Sequence, residues 1–347
     1  EDANSDDASC LYSASNNTDL LSIFDYNTGV NDVWGFVDNA GREYAIVGLE
    51  TGVSFVDVSD PNNPTEKALI SGPTSIWRDI KTWGNHAYIV HDSFSEGESQ
   101  GLLIVDIENI STGNVSFTSF YYNNQISRAH NVYIDENGVL YLFGSDYGNG
   151  GAIMFDIATN PEEPIYLGEF EAYYLHDGMV RGDTLWGGAI FEGLLVGVDV
   201  SDKQNPVIIG SHMTPNSFTH NCWISEDGET LFTTDEVSGA YIAAYDVSNI
   251  NNIELLDQIQ SWSPESDVIP HNTHVKGNYL VTSYYCDGVT IIDASNPNNL
   301  EEVAYFDTSP EYSGGTFNGA WGAYPWLPSN NLLVTDRENG LHIISVL

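Results

Sequence analysis

Residues 129–164 read AHNVYIDENGVLYLFGSDYGNGGAIMFDIATNPEEP, and this stretch contains the unit that decides the fold. It opens with a His beside an amide and continues as two short apolar segments joined at Asn137-Gly138. A third apolar segment ends at Asp156 and is followed by a polar turn. Asn-Gly pairs favour positive φ and tight hairpins. The stretch therefore predicts consecutive strands of an antiparallel meander.

The opening of this unit recurs along the chain. A His followed by an amide or acid occurs at Ala129-His130-Asn131, Leu175-His176-Asp177, Thr219-His220-Asn221 and Pro270-His271-Asn272, with spacings of 46, 44 and 51 residues. The register continues, with the His replaced, at Asn31-Asp32, Arg78-Asp79 and Asn318-Gly319. A period of this length, rich in short strands, is typical of propeller blades. Seven such units account for nearly the whole chain of 347 residues.

The closing strand and the central turn of the unit recur as well. Apolar and β-branched residues run into an aspartate followed by a polar turn at Asp57, Asp106, Asp156, Asp199, Asp246 and Asp293. Turn residues separate the first two strands of each unit at Asn39-Ala40-Gly41, Gly84-Asn85, Asn137-Gly138, Gly182-Asp183, Asp227-Gly228, Gly277-Asn278 and Ser329-Asn330. The repeated aspartate is best explained as a turn cap, not as a reactive group.

The two ends of the chain complement each other. The last unit holds only three strands, whereas a spare apolar segment at residues 20–25 resembles the closing strand at residues 303–307. We therefore predict an all-β fold, a seven-bladed β-propeller of four-stranded antiparallel blades in which residues 19–30 complete the last blade. Such pairing removes an open sheet edge. Residues 1–18 are expected to form a polar leader and residues 19–347 a single propeller domain.

The closing strings, such as GLLIVDIENI at residues 101–110 and VTIIDASNPNN at residues 289–299, resemble LVIVD repeats. Together with the His-Asn units, they make the chain similar to the choice-of-anchor B family of bacterial surface proteins. The resemblance covers essentially all seven units. It implies a repeat architecture and a surface location, and it implies no particular reaction.

The composition is strongly acidic. Asp and Glu number 50 against 9 Lys and Arg, which gives a net charge of −41, and 41% hydrophobic residues suffice for a packed core. Such a surface repels nucleic acid and anionic membranes. The sequence has no apolar run of about 18 residues, the length that would predict a membrane span. The start at Glu1 is typical of a processed or trimmed N terminus. We expect a secreted or cell-surface protein whose partner is a glycan or another extracellular ligand.

The cysteine count does not predict a disulfide framework. Of the three cysteines, Cys10 lies in the polar leader, while Cys222 and Cys286 fall near the same end of neighbouring units. An odd count leaves at least one thiol without an intramolecular partner. Cys222 and Cys286 could pair, and the favoured alternative is that both are buried thiols.

The strand order of a meander predicts which polar residues meet. The first strand of each blade crosses the disc and the second returns, so the start of one and the end of the other share a face. The residues expected to bind a ligand on this face are Arg78, Arg128, Arg337, Asn131, Asp177, Asn221, Asn272, Asp235 and Glu236. The same face receives His130, His176, His220 and His271.

Four histidines on one face could hold a divalent transition metal. Neutral imidazoles backed by carboxylates suit Zn²⁺ or a similar ion, so His130, His176, His220 and His271 are the candidate ligands, two or three of them acting with an acid. The alternative is architectural, because a His-Asn pair repeated in blade after blade could simply hydrogen-bond the neighbouring blade. Ca²⁺ could bind acidic loops such as residues 135–138 and 225–228. Those loops lack EF-hand spacing and are better explained as turns.

Two classes of function remain open. The first is an adhesion or recognition module whose channel mouth binds a ligand with the help of a metal. The second is an enzyme on the same face, with His130, His176, His220, His271 and Arg78 as the candidate catalytic residues. One version is a lyase of acidic polysaccharides in which Arg78, Arg128 or Arg337 neutralises the uronate. Another is a metal-dependent hydrolase or oxidase.

The stretch AWGAYPWLP at residues 320–328 suggests a separate contact with sugar. Trp321, Tyr324 and Trp326 could form a stacking platform, although the tryptophans of a propeller are mostly filler between blades. The fold itself does not choose between a binding protein and an enzyme.

Overall fold

The computed structural model describes residues 14–93, 100–263 and 265–347. Its strands form seven antiparallel sheets. Five sheets contain four consecutive strands, one contains four consecutive strands and a fifth from the start of the chain, and one contains three consecutive strands and a fourth from the start of the chain. This confirms the predicted seven-bladed β-propeller. The helical segments of the described residues are two short 3₁₀ turns, Ile110–Thr112 and Tyr122–Asn124.

The strands follow the predicted units. Before the first blade lie β1 (Ser15–Asn16) and β2 (Thr18–Phe24). Blade 1 contains β3 (Val30–Val37), β4 (Glu43–Leu49), β5 (Gly52–Asp57) and β6 (Thr65–Ser71). Blade 2 contains β7 (Arg78–Trp83), β8 (His86–His91), β9 (Leu102–Asp106) and β10 (Ser116–Phe120). Blade 3 contains β11 (Asn131–Ile134), β12 (Val139–Phe143), β13 (Ala152–Asp156) and β14 (Ile165–Phe170).

The remaining blades repeat this order. Blade 4 contains β15 (Gly178–Arg181), β16 (Thr184–Ala189), β17 (Leu194–Asp199) and β18 (Val207–Met213). Blade 5 contains β19 (Thr219–Ile224), β20 (Thr230–Asp235), β21 (Ile242–Asp246) and β22 (Glu254–Ile259). Blade 6 contains β23 (Thr273–Lys276), β24 (Tyr279–Ser283), β25 (Val289–Asp293) and β26 (Glu301–Phe306). Blade 7 contains β27 (Ala320–Tyr324), β28 (Leu332–Asp336) and β29 (Gly340–Val346).

The ring closes through the N-terminal strand, as predicted. β2 pairs antiparallel with β29 and supplies the fourth strand of blade 7, with Thr18 opposite Val346 and Phe24 opposite Leu341. The structure adds a contact that the sequence did not predict, because β1 pairs with β26 as a fifth strand of blade 6. Residues 15–18 of the expected polar leader therefore take part in strand pairing. Residues 1–13 of that leader lie outside the described residues.

The predicted turn chemistry is present in every blade. The hairpin between the first and second strands contains a residue with φ between 54° and 80° at Gly41, Gly84, Gly138, Gly182, Gly228, Gly277 and Asn330. The six repeated aspartates accept the backbone N–H two residues later at 2.8–3.1 Å. These carboxylates cap turns on the outer side of the blades. Their repetition is thus architectural, as expected.

The apolar core lies between successive blades. Ile46 and Phe55 of blade 1 pack with Ile80 and Ile89 of blade 2, and equivalent clusters follow around the ring. Each fully buried side chain of this size contributes roughly 1.5–3 kcal/mol. This packing holds the first strands of the blades at fixed positions around the central channel.

The two cysteines of the described residues are free and buried, so the possible Cys222–Cys286 disulfide was wrong and the buried-thiol alternative holds. Cys222 packs in the core between blades 4 and 5 with Met179 and Trp186. Cys10 lies outside the described residues. In the part of the chain that the structure describes, no helix is long and apolar enough to cross a membrane.

Candidate metal centre

Four histidines from successive blades form a continuous row at the mouth of the channel, which we call the His row (His130, His176, His220 and His271). The centroids of neighbouring imidazoles are 3.9, 4.3 and 4.7 Å apart. The side chains of His130 and His176 are each 13% exposed, whereas those of His220 and His271 are 1% and 3% exposed. The row is therefore open to solvent at the end formed by blades 3 and 4.

Hydrogen bonds at Nδ1 orient three of the imidazoles. The pairs are His130 with Asp92 Oδ2 (3.1 Å), His176 with Asp177 Oδ1 (3.0 Å) and His271 with the main-chain oxygen of Trp321 (2.5 Å). Carboxylates and carbonyls only accept hydrogen bonds, so the proton lies on Nδ1 in each pair. In this tautomer the lone pair lies on Nε2. Metal-binding histidines use the same tautomer when Nδ1–H donates to a carboxylate or a main-chain oxygen.

Glu236, directly after β20, faces the inner part of the His row. Its Oε2 lies 3.5 Å from Nε2 of His220, and its Oε1 lies 3.9 Å from Nε2 of His271. Tyr285 donates a hydrogen bond from its hydroxyl to Oε1 at 2.5 Å. Burial raises the pKa of Glu236 to about 7, against the opposing effect of that hydrogen bond.

Burial keeps most of the His row neutral. It lowers the pKa of His271 to about 3 and the pKa of His220 well below its ordinary value, and together with His130 it lowers the pKa of His176. His130 differs: burial lowers its pKa, but the hydrogen bond with Asp92 and the charges of Asp177, Asp92 and Glu236 together raise it above its ordinary value. Burial opposes ionisation of Asp177, yet the nearby His220 and His176 hold its pKa well below the usual range. Neutral imidazoles beside an ionised carboxylate attract a cation.

Two groups of three side chains in the described residues bring ligand atoms within 4.8 Å of one another. One contains His130, His176 and Asp177, and the other contains His176, His220 and Glu236. Asp177 already uses Oδ1 for His176 and accepts a hydrogen bond from Asn221 at Oδ2 (3.3 Å). Glu236 keeps Oε2 directed at His220. The second group is thus the better candidate, and two His with one carboxylate is a set of zinc ligands that leaves a position open.

The second residue of the repeated unit is an amide or acid, and in three units it contacts the next blade. We call these three the strut residues (Asp32, Asp79 and Asn221). They accept main-chain N–H groups of the following blade: Asp32 from Ile80 (3.3 Å), Asp79 from Val132 (2.7 Å) and Asn221 from Thr273 (3.1 Å). The strut residues therefore hydrogen-bond the neighbouring blade, as the architectural alternative predicts. Asn131 and Asn272, predicted to bind a ligand, have side-chain oxygens that are buried without a hydrogen-bond partner among the described residues.

The three arginines expected on this face have different surroundings. Arg78 is buried and donates to the main-chain oxygens of Leu49 (2.7 Å) and Pro73, so it joins the strands and loop around blades 1 and 2 while it lines the same small cavity as His130. Burial lowers the pKa of Arg78 to about 10. Arg128 pairs with Asp92 at 2.8 Å.

Arg337, like Arg78, has no carboxylate within 4 Å among the described residues. Its guanidinium lies 5.3 Å from the ring centroid of Trp321 and donates to the main-chain oxygen of Phe317 at 2.5 Å. Asp235, also predicted to bind a ligand, accepts hydrogen bonds from Thr214 (2.6 Å) and Asn216 (2.7 Å). It thereby organises the loop between β18 and β19.

The space available at this face has two parts. A cavity of about 20 Å³ lies beside the His row and is lined by His130, His220 and His271 but not by His176 or Glu236. It has room for one water molecule or ion. A larger cleft of about 410 Å³ opens between blades 7 and 1, lined by Tyr26, Thr28, Glu50, Ile76, Arg337 and Glu338. Its size is in the range of small-molecule sites. A bulky ligand would thus occupy the cleft, and the His row would hold an ion.

Comparisons with known proteins agree with this architecture. Residues 42–70, 77–118, 189–214 and 271–308 match the LVIVD repeat. The chain carries LVIVD repeats. A search of curated proteins finds no match.

Solved structures similar to this LVIVD-repeat chain share its fold. The β-propeller domain of Cps50 (Swd1) from Myceliophteria thermophila aligns with a TM-score of 0.63 and 13% identity over 94% of this chain and 99% of that one. A protein from Bacteroides uniformis, provisionally assigned as a 6-phosphogluconolactonase, aligns with a TM-score of 0.64 and 13% identity over 92% of each chain. Identity this low shows the fold alone.

The LVIVD segments do not describe the candidate metal centre. They include Arg78 and His271, but His176, His220 and Glu236 all lie outside them. The match to the LVIVD repeat therefore neither supports nor excludes the candidate metal centre.

The suggested sugar platform was wrong. Trp321 is 6% exposed and packs on His271 with ring centroids 4.7 Å apart. Trp326 lies against His274 and Trp223, at 5.1 and 5.2 Å. The aromatic side chains of this stretch therefore fill the LVIVD propeller's channel and do not form one exposed surface.

Tyr285 is a residue of the site that the sequence did not predict. No spacing rule marks it, because it follows the second strand of its blade at a place where the other blades carry other residue types. The sequence around Tyr285 also does not indicate which carboxylate its hydroxyl contacts.

Proposed function

We propose that this propeller binds a divalent transition metal ion, best fitted by Zn²⁺, through His176, His220 and Glu236, and that the ion helps to hold an extracellular ligand. The observation that carries the proposal is the convergence of the three ligand atoms within 4.8 Å. Nδ1 of His176 is engaged by Asp177, which leaves its Nε2 for an ion. The protein would then act as a recognition or adhesion module at a cell surface.

The environment of the three ligands supports the choice of ion. Zn²⁺ prefers nitrogen and carboxylate ligands in a four-coordinate site, and three protein ligands leave one position for a ligand atom. The acidic loops proposed for Ca²⁺ are less suitable. Asp135 accepts from the main chain of Asn137 and Val139 at 2.9 Å, and Asp227 accepts from Ser225 at 2.6 Å, so these carboxylates are engaged in turns.

The cleft beside the metal centre supports the ligand-binding part of the proposal. Arg337 lies on its wall and stacks near Trp321, which in turn packs on His271. A ligand bearing carboxylate or hydroxyl groups, such as a glycan, would contact Arg337 in the cleft and offer an oxygen to the ion. When bound, the ion would supply Lewis acidity for that contact.

An enzyme on the same face is the second candidate. The observation in its favour is the set of two His and one carboxylate, which metal-dependent hydrolases also use with an open position. The lyase version is weaker, because the buried guanidinium of Arg78 donates to main-chain oxygens and Arg128 is paired with Asp92. A hydrolytic activity that requires the metal would favour the enzyme over the binding module.

Metal titration tests the proposal. Protein stripped with a chelator should bind one Zn²⁺ per chain by calorimetry, and the ion should raise its melting temperature because it binds only the folded state. His176→Ala and Glu236→Gln should abolish that binding. His86→Ala is the matched control, since His86 lies at a hairpin on the opposite face. Undiminished Zn²⁺ binding in both site variants would refute the proposed centre.

A further inference from the structure

Tyr285 holds an unusual backbone conformation beside the candidate metal centre. Its φ is 38°, in the left-handed region that bulky residues avoid. Such a conformation costs on the order of 1–3 kcal/mol and persists where the surrounding structure fixes it. The main-chain oxygen of Tyr285 accepts hydrogen bonds from Gly288 (3.0 Å) and Ala320 (2.9 Å), which anchor the residue between blades 6 and 7.

The strained backbone places the phenol ring inside the site. Tyr285 is 1% exposed, and its ring centroid lies 5.1 Å from that of His271. Its hydroxyl donates to Oε1 of Glu236 at 2.5 Å, while Oε2 of the same carboxylate faces Nε2 of His220 at 3.5 Å. One oxygen of Glu236 is thus occupied by a protein donor, and the other faces the histidines.

We propose that Tyr285 confines Glu236 to coordination through Oε2 alone and thereby selects a small four-coordinate ion. This inference rests on the proposed metal centre at His176, His220 and Glu236. Zn²⁺ and Co²⁺ accept one oxygen from a carboxylate in a tetrahedral site. Ca²⁺ takes six to eight oxygen ligands, often with bidentate carboxylates, and Mn²⁺ favours octahedral oxygen sites. A carboxylate locked by a hydroxyl donor disfavours both.

A purely structural role for Tyr285 has a different consequence. The hydroxyl would then only satisfy a buried carboxylate, and its removal would change stability without changing the choice of metal. Tyr285→Phe removes the hydroxyl and keeps the ring. Tyr141→Phe is the matched control, because Tyr141 is fully buried and donates to Oδ2 of Asp135 at 3.2 Å in blade 3, outside the metal centre.

Cobalt spectroscopy and metal competition test the inference. With wild-type protein we expect one Co²⁺ per chain with the intense visible absorption of tetrahedral Co²⁺, and strong preference for Zn²⁺ over Mn²⁺ and Ca²⁺. Tyr285→Phe should still bind Co²⁺ but with weaker absorption, as Glu236 becomes bidentate. Its preference for Zn²⁺ over Mn²⁺ should fall about 10- to 100-fold, the usual effect of removing a group that orients a metal ligand. Tyr141→Phe should match the wild type.

Three results would overturn the inference. The first is a Tyr285→Phe variant with unchanged absorption and unchanged metal preference. The second, which does not depend on how the variant folds, is wild-type protein that binds Mn²⁺ or Ca²⁺ as tightly as Zn²⁺. The third is wild-type protein that binds none of these ions, which refutes the metal centre itself as well.

Discussion

The His row and the strut residues arise from the same repeated unit, yet their side chains contact different partners. Asp32, Asp79 and Asn221 reach main-chain N–H groups of the next blade at 2.7–3.3 Å. The imidazoles of His176 and His220 instead face the carboxylates of neighbouring loops and strands. Contacts with the main chain recur at three of the junctions between blades. Contacts between side chains depend on the residues of particular blades and can therefore form a site.

The two halves of the channel differ in the groups that contact their buried carboxylates. On the side of blades 1 and 2, Lys81 lies 2.9 Å from Asp79 and 4.3 Å from the ring centroid of Trp34, so the protein supplies its own cation. On the side of blades 4 and 5, imidazoles, the hydroxyl of Tyr285 and the amide of Asn221 contact Asp177 and Glu236, and no Lys or Arg of the described residues lies within 4 Å of either carboxylate. The second half has negative charge without an internal ammonium group. An external cation is the natural partner there.

The largest expected effect concerns the strut residues. Asp79→Ala would remove the acceptor of Val132 N–H and leave the ammonium of Lys81 buried without its partner. We expect a loss of about 3–5 kcal/mol in the free energy of unfolding, the usual result of breaking a buried ion pair. Urea denaturation measures it, and Asp79→Asn, which keeps an acceptor oxygen, should lose less. A loss below about 1 kcal/mol in Asp79→Ala would show that the strut is dispensable.

A smaller effect is expected from carboxylates that have neither a cation nor an imidazole nearby. Burial, followed by repulsion from other acids, raises the pKa of Asp287 and Glu302 to about 7 and that of Asp307 to about 6. A raised pKa in the folded state stabilises the fold below the ordinary pKa of the acid, and this stability is lost as the pH rises through 6 to 7. These three acids should contribute about 1–3 kcal/mol more stability at pH 5.5 than at pH 8, while buried histidines of lowered pKa such as His271 act in the opposite direction.

Denaturation of the wild type and of a variant without these acids, at both pH values, isolates this contribution. The double variant Asp287→Asn, Glu302→Gln should show much less of it, because amides do not titrate. An equal pH dependence in the variant would assign the effect to the overall charge of −41 and not to these acids.

The fold could be predicted from the sequence because each blade obeys local rules. Turn residues such as Gly138 and Asn330 require positive φ, and the aspartates that follow the third strands cap turns two residues ahead. Closure was predictable because residues 20–25 form an apolar strand and blade 7 lacked one. The pairing of Ser15 and Asn16 with blade 6 was not, because two polar residues carry no strand signal.

The site was predictable in position and not in contacts. Spacing places His176, His220 and Glu236 at one face of the disc, since it fixes where each strand begins and ends. It does not fix which partner a long side chain bonds, and the guanidinium of Arg78 donates to the main-chain oxygen of Leu49. The bond between Tyr285 and Glu236 joins residues 49 apart in sequence. It depends on how blades 5 and 6 approach each other, which no local rule describes.

The smallest expected effect distinguishes the two possible ligand groups in the His row. Asp92 orients His130 through Nδ1 and also pairs with Arg128, but it has no such contact with His176 or His220. If the ion is held by His176, His220 and Glu236, Asp92→Asn should change Zn²⁺ affinity less than about threefold. If it is held by His130, His176 and Asp177, the loss of an orienting carboxylate should weaken binding about 10- to 100-fold. Calorimetric titration of Asp92→Asn beside wild-type protein decides between these outcomes, because asparagine keeps the size of the side chain and an acceptor oxygen while removing the charge. A large loss of affinity would move the metal centre to the exposed end of the row, away from Glu236 and Tyr285.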